Sequence, residues 1–270
     1  MLSLVLTNMR VNFKFYKRNR LLLVASLFII FVMGLSTIPA LVFFSKTKHL
    51  DMITTVFSRL SSFTTIITAG LGLLLISHHV SSRNVKMVFT KPCSPEIWLG
   101  SSLASALAVA LSMYGGIFFL CSLLFAVWGI PYQWGIFYVV LNDFLKAIIL
   151  LSYISFLSVV FHPVVAALFT LIFHEGTFYF FKMILAGGIK ALGESSAVPF
   201  LKALKGLADF IYMVLPTFDP YSEQTAKIYS SLRLSDAGLQ YILYTCGYAL
   251  TSAAFFYFLS VYFLKKKRLI

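Results

Sequence analysis

The sequence predicts an all-α integral membrane protein, and its composition and its blocks of apolar residues support this class. Of the 270 residues, 60% are hydrophobic and only 11% are charged, whereas a soluble domain carries about 25% charged residues. The mean hydropathy is +0.90, and several apolar blocks reach the roughly 20 residues that cross a bilayer. In lipid, an isolated segment satisfies its own backbone hydrogen bonds only as a helix. We therefore expect residues 1–270 to form a single transmembrane domain.

Six apolar blocks are long enough to be transmembrane helices: 21–44, 57–77, 99–128, 135–160, 163–189 and 239–264. The boundary at Pro163 divides a largely apolar stretch that is too long for one span. Basic clusters precede the first block and follow the last, so the positive-inside rule predicts that both termini are cytoplasmic. An even number of spans satisfies this, and we expect a multi-pass protein of the cell (inner) membrane.

Residues 1–20 read as an amphipathic helix that lies in the membrane interface. One helical face is apolar and the neighbouring stripe is basic, which is typical of interfacial helices. The apolar face comprises Leu2, Leu6, Met9, Phe13 and Tyr16, and the basic stripe comprises Arg10, Lys14, Lys17 and Arg18.

Between the fifth and sixth blocks, residues 190–238 form a predicted external loop. Apolar residues recur at helical spacing from Phe200 to Leu215, with lysines and an aspartate between them. This pattern predicts an outer-leaflet re-entry helix that ends before Pro216, because proline cannot continue a helix. The following "PTFDPYSEQ" reads as turns that lead back to the last span.

Residues 78–98, between the second and third blocks, form a polar turn that is predicted to face the cytoplasm. It holds three cations, and two prolines make its backbone stiff. The side chains that we expect to make contacts here are Arg83, Lys86, Met87, Phe89, Lys91, Pro92, Ser94 and Glu96.

The third span carries a row of small residues at every fourth position: Gly100, Ala104, Ala108, Ser112 and Gly116. Such rows let helix backbones approach closely in lipid. The row is either a packing face within one subunit or an interface between subunits, and the sequence leaves both open.

Ionisable side chains within the apolar blocks are the remaining polar candidates, because burying a charge in a bilayer is costly. Asp143 and Lys146 are three residues apart on one predicted helix and can pair. His174 and Glu175 are adjacent but lack the second histidine of a zinc-protease motif. We expect no metal site, no catalytic residues, no bound cofactor, and no nucleic-acid partner despite the net charge of +13.

The order of these parts resembles the membrane-spanning permease subunit of type-2 ABC exporters. Within "HVSSRNVKMVFTKPCSPEIWLG", Val88, Phe89, Pro92, Ser94 and Gly100 match the family's passage between spans two and three. "VLPTFDPY" is similar to the proline-containing outer segment that the family often has before its last span. The match departs at His79, where the family usually has an acid, at Arg83-Asn84, where it has Gly-Thr, and at Pro95, where it has Arg.

This resemblance implies that the 78–98 turn couples the spans to a separate ATP-binding cassette ATPase subunit, which would hold ATP and Mg. It also implies that two permease copies, or a permease and a paralogue, pair to form the translocation path.

Other functions stay open at this point. An ion-driven secondary transporter and a non-transporting membrane anchor within a larger assembly are the alternatives. A membrane-embedded enzyme would have to use Glu175 with His174 or His162, since no other paired ionisable groups suggest catalysis.

Overall fold

The computed structural model describes residues 2–18, 20, 27, 31, 49–81, 94–127, 129, 131–172, 175–192, 198–218, 220–221, 225 and 238–268. Throughout these residues the regular structure is helical, which confirms the all-α prediction for this part of the chain. The helices are α1 (Leu2–Arg18), α2 (His49–Ser81), α3 (Pro95–Val127), α4 (Gly135–Val160), α5 (Pro163–Ile172), α6 (Glu175–Leu192), α7 (Val198–Val214) and α8 (Leu239–Arg268).

Within the described residues, three helices are long and apolar enough to cross a membrane: Pro95–Val127, Gly135–Val160 and Gln240–Lys266. They coincide with the third, fourth and sixth predicted spans. Helix α2 contains the predicted second span, and its described apolar stretch is Phe63–Ile76. Two helices, α5 and α6, occupy the range of the predicted fifth span, and the first lies almost entirely outside the described residues. The count of six spans therefore stays a prediction.

Helices α2, α3, α4 and α8 form a bundle whose two ends are defined by separate apolar clusters. At one end, the end of α3 around Phe125 packs between the first residues of α2 and those of α4. At the other end, the start of α3 at Trp98 packs against the ends of α2, α4 and α8. Helix α3 is therefore antiparallel to the other three. We call the two ends the Phe125 end and the Trp98 end.

Helix α4 is the centre of the bundle. Two thirds of its apolar window, 67%, is buried within the chain, compared with 28% for α3 and 17% for α8. It packs most extensively against α8 and α2. The approach to α2 is closest at Gly72, where an added Cβ would collide with the buried side chain of Leu151. Gly70, half a turn away, faces open space.

Prolines mark the starts of several helices. Pro95 and Pro163 are the first residues of α3 and α5, and Pro199 is the second residue of α7. These positions suit proline because its fixed φ fits a helix and the first-turn N–H groups have no intrahelical acceptor. Helix α7 ends at Val214, before Pro216, where the sequence predicted its end.

Helices α6 and α7 pack against each other as a hairpin. The ammonium of Lys182 on α6 lies 2.8 Å from a carboxylate oxygen of Asp209 on α7 and 4.3 Å from the centre of the Tyr212 ring. The hydrogen bond from Lys182 holds the pKa of the Asp209 carboxyl below its ordinary value. Both helices leave large apolar side chains exposed, among them Phe180 and Phe210.

Candidate functional site

The predicted ATPase-coupling turn lies mostly outside the described residues. This applies to Arg83, Lys86, Met87, Phe89, Lys91 and Pro92. Of the predicted contact residues, the structure describes Ser94 and Glu96. The hydroxyl of Ser94 accepts a hydrogen bond from the N–H of Ile97 at 3.4 Å, so Ser94 is the N-cap of α3 and Pro95 is its first helical residue.

Glu96 connects the start of α3 to the end of α8. Its carboxylate forms an ion pair with Lys265, and its main-chain carbonyl accepts a hydrogen bond of 3.0 Å from the hydroxyl of Tyr257. Gly100 lies under the same tyrosine, because a Cβ added there would be 3.5 Å from the Tyr257 hydroxyl. The start of α3 is thus bonded to α8 through Glu96, in the part of the predicted coupling turn that the structure shows as helix.

The rest of the predicted small-residue row becomes less buried from Ala104 toward Gly116. Ala104 and Ala108 are half-buried, whereas Ser112 and Gly116 are exposed. A Cβ added at Gly116 would meet nothing within 4 Å. Helix α3 instead packs through neighbouring rows, whose buried small residues are Ser101, Ser102, Ser105, Ala106 and Ala110.

Helix α1 packs against α2 and α3 through two polar side chains. The amide of Asn12 donates to the hydroxyl of Ser105 at 3.1 Å, and the hydroxyl of Tyr16 donates to the carbonyl of Leu71 at 3.5 Å. Both side chains are buried. The buried contact face is therefore rotated about the helix axis, relative to the predicted apolar face, by about the angle between adjacent residues.

Outside this contact, much of α1 remains exposed, although Tyr16 of the predicted apolar face is buried. Leu6 and Phe13, which belong to the predicted apolar face, are 57% and 37% exposed. The basic residues Arg10, Lys14, Lys17 and Arg18 are exposed as well. This arrangement is compatible with contact to lipid, and the interfacial location itself stays a prediction.

A buried polar cluster joins α2, α3 and α4 around Asp143. The predicted pairing with Lys146 is confirmed, with 3.1 Å between the ammonium and one carboxylate oxygen. The other carboxylate oxygen accepts a hydrogen bond from the hydroxyl of Ser61. One turn further along α2, the hydroxyls of Thr65 and Tyr114 are 2.6 Å apart. Each carboxylate oxygen thus has a partner, which is how a buried charge becomes tolerable.

The sequence predictions did not include the partners of Asp143 on α2 and α3. A signal was present in the sequence, since Ser61, Thr64, Thr65 and Thr68 recur at helical spacing in a predicted membrane span. For His174 and Glu175 the predictions stay untested. His174 and the side chain of Glu175 lie outside the described part of the structure.

After α7, residues 215–218 and 220–221 run back into the bundle between α4 and α8. Leu215 packs against Tyr153 of α4 and Phe256 of α8, both in the interior of those helices. The N–H of Thr217 donates to the hydroxyl of Tyr248 at 2.8 Å. The segment predicted to lie in an external loop is therefore packed, in this part, along the two central helices.

Polar side chains of α4 and α8 satisfy the main chain of this segment. The hydroxyl of Tyr241 donates to the carbonyl of Pro220 at 2.6 Å. Asn142 donates to the carbonyl of Tyr221 at 2.8 Å and to the hydroxyl of Thr225 at 2.9 Å. Irregular backbone at membrane depth is tolerated where protein surrounds it and satisfies its hydrogen bonds. These side chains meet that condition.

These sites consist mainly of ion pairs and hydrogen bonds that connect helices. Across the described residues, no group of three or more His, Cys, Asp or Glu side chains is arranged to hold a metal ion. Comparisons of this chain with protein-family models, curated proteins and solved structures find no match.

Proposed function

We propose that this chain is the permease subunit of an ATP-driven ABC exporter, with two copies, or one copy and a paralogue, lining the translocation path. Residues 78–98 couple it to a separate ATPase subunit, which binds the ATP and Mg. The observation that carries the proposal is the junction at the start of α3, where helix cap, ion pair and hydrogen bond lie at the end of the proposed coupling turn.

This junction is suited to transmitting a displacement. Ser94 caps α3, Pro95 stiffens the entry to the helix, and Glu96 is bonded to Lys265 and Tyr257 of α8. Because these bonds connect the end of the turn directly to α3 and α8, a movement of the turn displaces both helices. The ion pair itself is exposed and contributes little stability, so its role is to maintain geometry.

The small-residue row supports pairing of two permease copies. Ala108, Ser112 and Gly116 are only partly covered or exposed within the chain, and small residues are what close helix contacts in membranes require. The second copy would pack on this part of the row, while Gly100 remains covered by Tyr257. The outward basic stripe of α1 supports contact with the lipid interface at the same time.

The decisive experiment is a mild-detergent pull-down of the tagged chain expressed with its native neighbours, followed by mass spectrometry. We expect a stoichiometric soluble partner that carries a phosphate-binding loop. The double variant Lys86→Glu/Lys91→Glu should lose this partner while its thermal unfolding is unchanged. Lys202→Glu/Lys205→Glu on α7 is the matched charge-reversal control and should retain the partner.

A clean preparation without an ATPase would refute the proposal. Transport by such a preparation that depends on an ion gradient would establish the secondary-transporter alternative. A stable larger assembly without transport would establish the membrane-anchor alternative. If the ATPase binds but Lys86→Glu/Lys91→Glu retains it, then the assignment of the contact residues is wrong although the function stands.

A further inference from the structure

A groove of about 270 Å³ lies between the end of the α6–α7 hairpin and α8. It opens to the outside of the bundle, and no charged side chain lines it. The lining residues are Met213, Leu215, Pro216, Tyr248, Thr251, Ser252, Phe255 and Phe256. Five of the eight lining side chains are apolar, and the other three, Tyr248, Thr251 and Ser252 on α8, carry hydroxyl groups.

The hydroxyl of Tyr248 can donate a hydrogen bond to a ligand in this groove. It accepts hydrogen bonds from the N–H of Thr217 at 2.8 Å and from the Thr217 hydroxyl at 3.2 Å. Since both bonds are donated to the phenol oxygen, the phenol proton is not used in either of them. Thr217 thus fixes the tyrosine as a donor.

Ser252 provides a second donor on the same face of α8. A serine within a helix commonly donates to the carbonyl four residues earlier, which here belongs to Tyr248. That carbonyl accepts the hydroxyl of Thr251 at 3.1 Å, and within the described part of the chain Ser252 makes no hydrogen bond. Residues four apart are neighbours on a helix surface, and both Tyr248 and Ser252 line this groove.

The depth of the groove restricts what can bind there. Tyr248 and Ser252 lie within the apolar window Gln240–Lys266, away from both of its ends. Hydroxyl groups at such a depth cannot use bulk water, so an unsatisfied donor there is costly. A phospholipid headgroup does not reach this depth, and a charged ligand would find no counter-charge in the lining.

We propose that this groove binds an apolar molecule that carries a hydrogen-bond-accepting carbonyl oxygen, with Tyr248 and Ser252 as the donors. Met213, Phe255 and Phe256 hold the hydrocarbon part of the ligand. The carbonyl accepts both hydroxyl protons, and the absence of charge in the lining selects a neutral ligand. This site does not depend on the proposed transport function.

The test uses two photoreactive probes that differ only in this oxygen: a long-chain ketone and the alkane of equal length, each with a diazirine at the same carbon. The chain is reconstituted in lipid nanodiscs, and labelled residues are located by mass spectrometry. We expect ketone labelling at Phe255 and Phe256 to exceed alkane labelling by roughly 25-fold, because each of the two hydrogen bonds supports a ratio of about five. Leu250 and Phe258, exposed at 64% and 68%, serve as lipid-facing references with a ratio near one.

Two variants of Ser252 and one control complete the experiment. Ser252→Ala removes one donor and should lower the ketone preference several-fold, whereas Ser252→Leu fills the groove and should abolish labelling there by both probes. Ala254→Leu adds the same bulk at an exposed position outside the lining and should change neither ratio. Equal labelling by ketone and alkane in the groove, or a ketone preference that Ser252→Ala leaves intact, would overturn the proposal. Neither result depends on an ATPase partner.

Discussion

The buried pair of Asp143 and Lys146 offers the sharpest test of how the bundle is held together. The charged atoms are 3.1 Å apart, and at an effective dielectric constant of about 20 their attraction is about 5 kcal/mol before desolvation is counted. Removing one member of a fully buried pair costs about 3–5 kcal/mol. Because the side chains of Lys146 and Asp143 remain 19% and 11% exposed, we expect Lys146→Met to cost about 2–3 kcal/mol.

The double-mutant cycle separates the pair from its surroundings. Asp143→Asn keeps an acceptor for Ser61 and leaves a flexible lysine that reaches toward solvent, so it should cost about 1–2 kcal/mol. Combining it with Lys146→Met leaves no uncompensated charge, and the double variant should also cost only about 1–2 kcal/mol. The resulting coupling energy is about 2 kcal/mol.

The free energy of unfolding can be measured by titration with sodium dodecyl sulfate in mixed micelles, with circular dichroism as the signal. Lys190→Met, at an exposed position near the end of α6, is the control and should be close to neutral. A coupling energy below about 0.5 kcal/mol, the usual error of additivity, would refute the argument that Lys146 compensates the buried charge of Asp143 within α4.

Three further changes test other contacts. Gly72→Ala should cost about 1–3 kcal/mol through overpacking against α4, whereas Gly70→Ala should be neutral or stabilise by up to about 1 kcal/mol; equal thermal unfolding of the two variants would contradict the close approach. Asn142→Leu leaves the main-chain carbonyl of Tyr221 without its donor, at a cost of about 1–3 kcal/mol. The variant should also accelerate amide hydrogen exchange in residues 216–221. Unchanged exchange there would show that this hydrogen bond does not hold the segment. Asp209→Asn tests the ion pair with Lys182: because the folded-state pKa lies below the ordinary value of 3.8, the pair stabilises at neutral pH and this contribution is lost as the pH falls below about 4. The difference in melting temperature between wild type and Asp209→Asn should therefore be small and positive at pH 7 and should decrease as the pH falls below 3.8, and a difference that is independent of pH would argue against the pair.

Features that depend on a few neighbouring residues could be predicted from the sequence. The stop of α7 before Pro216 and the pairing of Asp143 with Lys146 each follow from local spacing. The length and apolar character of α3, α4 and α8 are equally local, since each block carries its own pattern.

Features that depend on distant partners could not be predicted. Asn12 is buried because Ser105 lies opposite it, 93 residues away in the chain, and this contact rotates α1 away from its predicted apolar face. On α3 the predicted row and the rows that are actually buried both consist of small residues, so size alone did not distinguish them. The packing of residues 215–218 and 220–221 between α4 and α8 likewise depends on side chains, such as Tyr248, whose partners the sequence does not indicate.

The two adjacent polar residues of α4 have a consequence for synthesis in the cell. Ser61, the partner of Asp143, precedes it by 82 residues. The Ser61 hydroxyl can therefore donate to Asp143 as soon as α4 leaves the translocon. Asn142 must wait, because the carbonyl of Tyr221 follows 79 residues later. At about 5–20 residues per second, the delay is roughly 4–16 seconds. During that interval nascent α4 has its polar partner on α2 but lacks the partner of Asn142, which favours its retention at the translocon until Tyr221 has been synthesised.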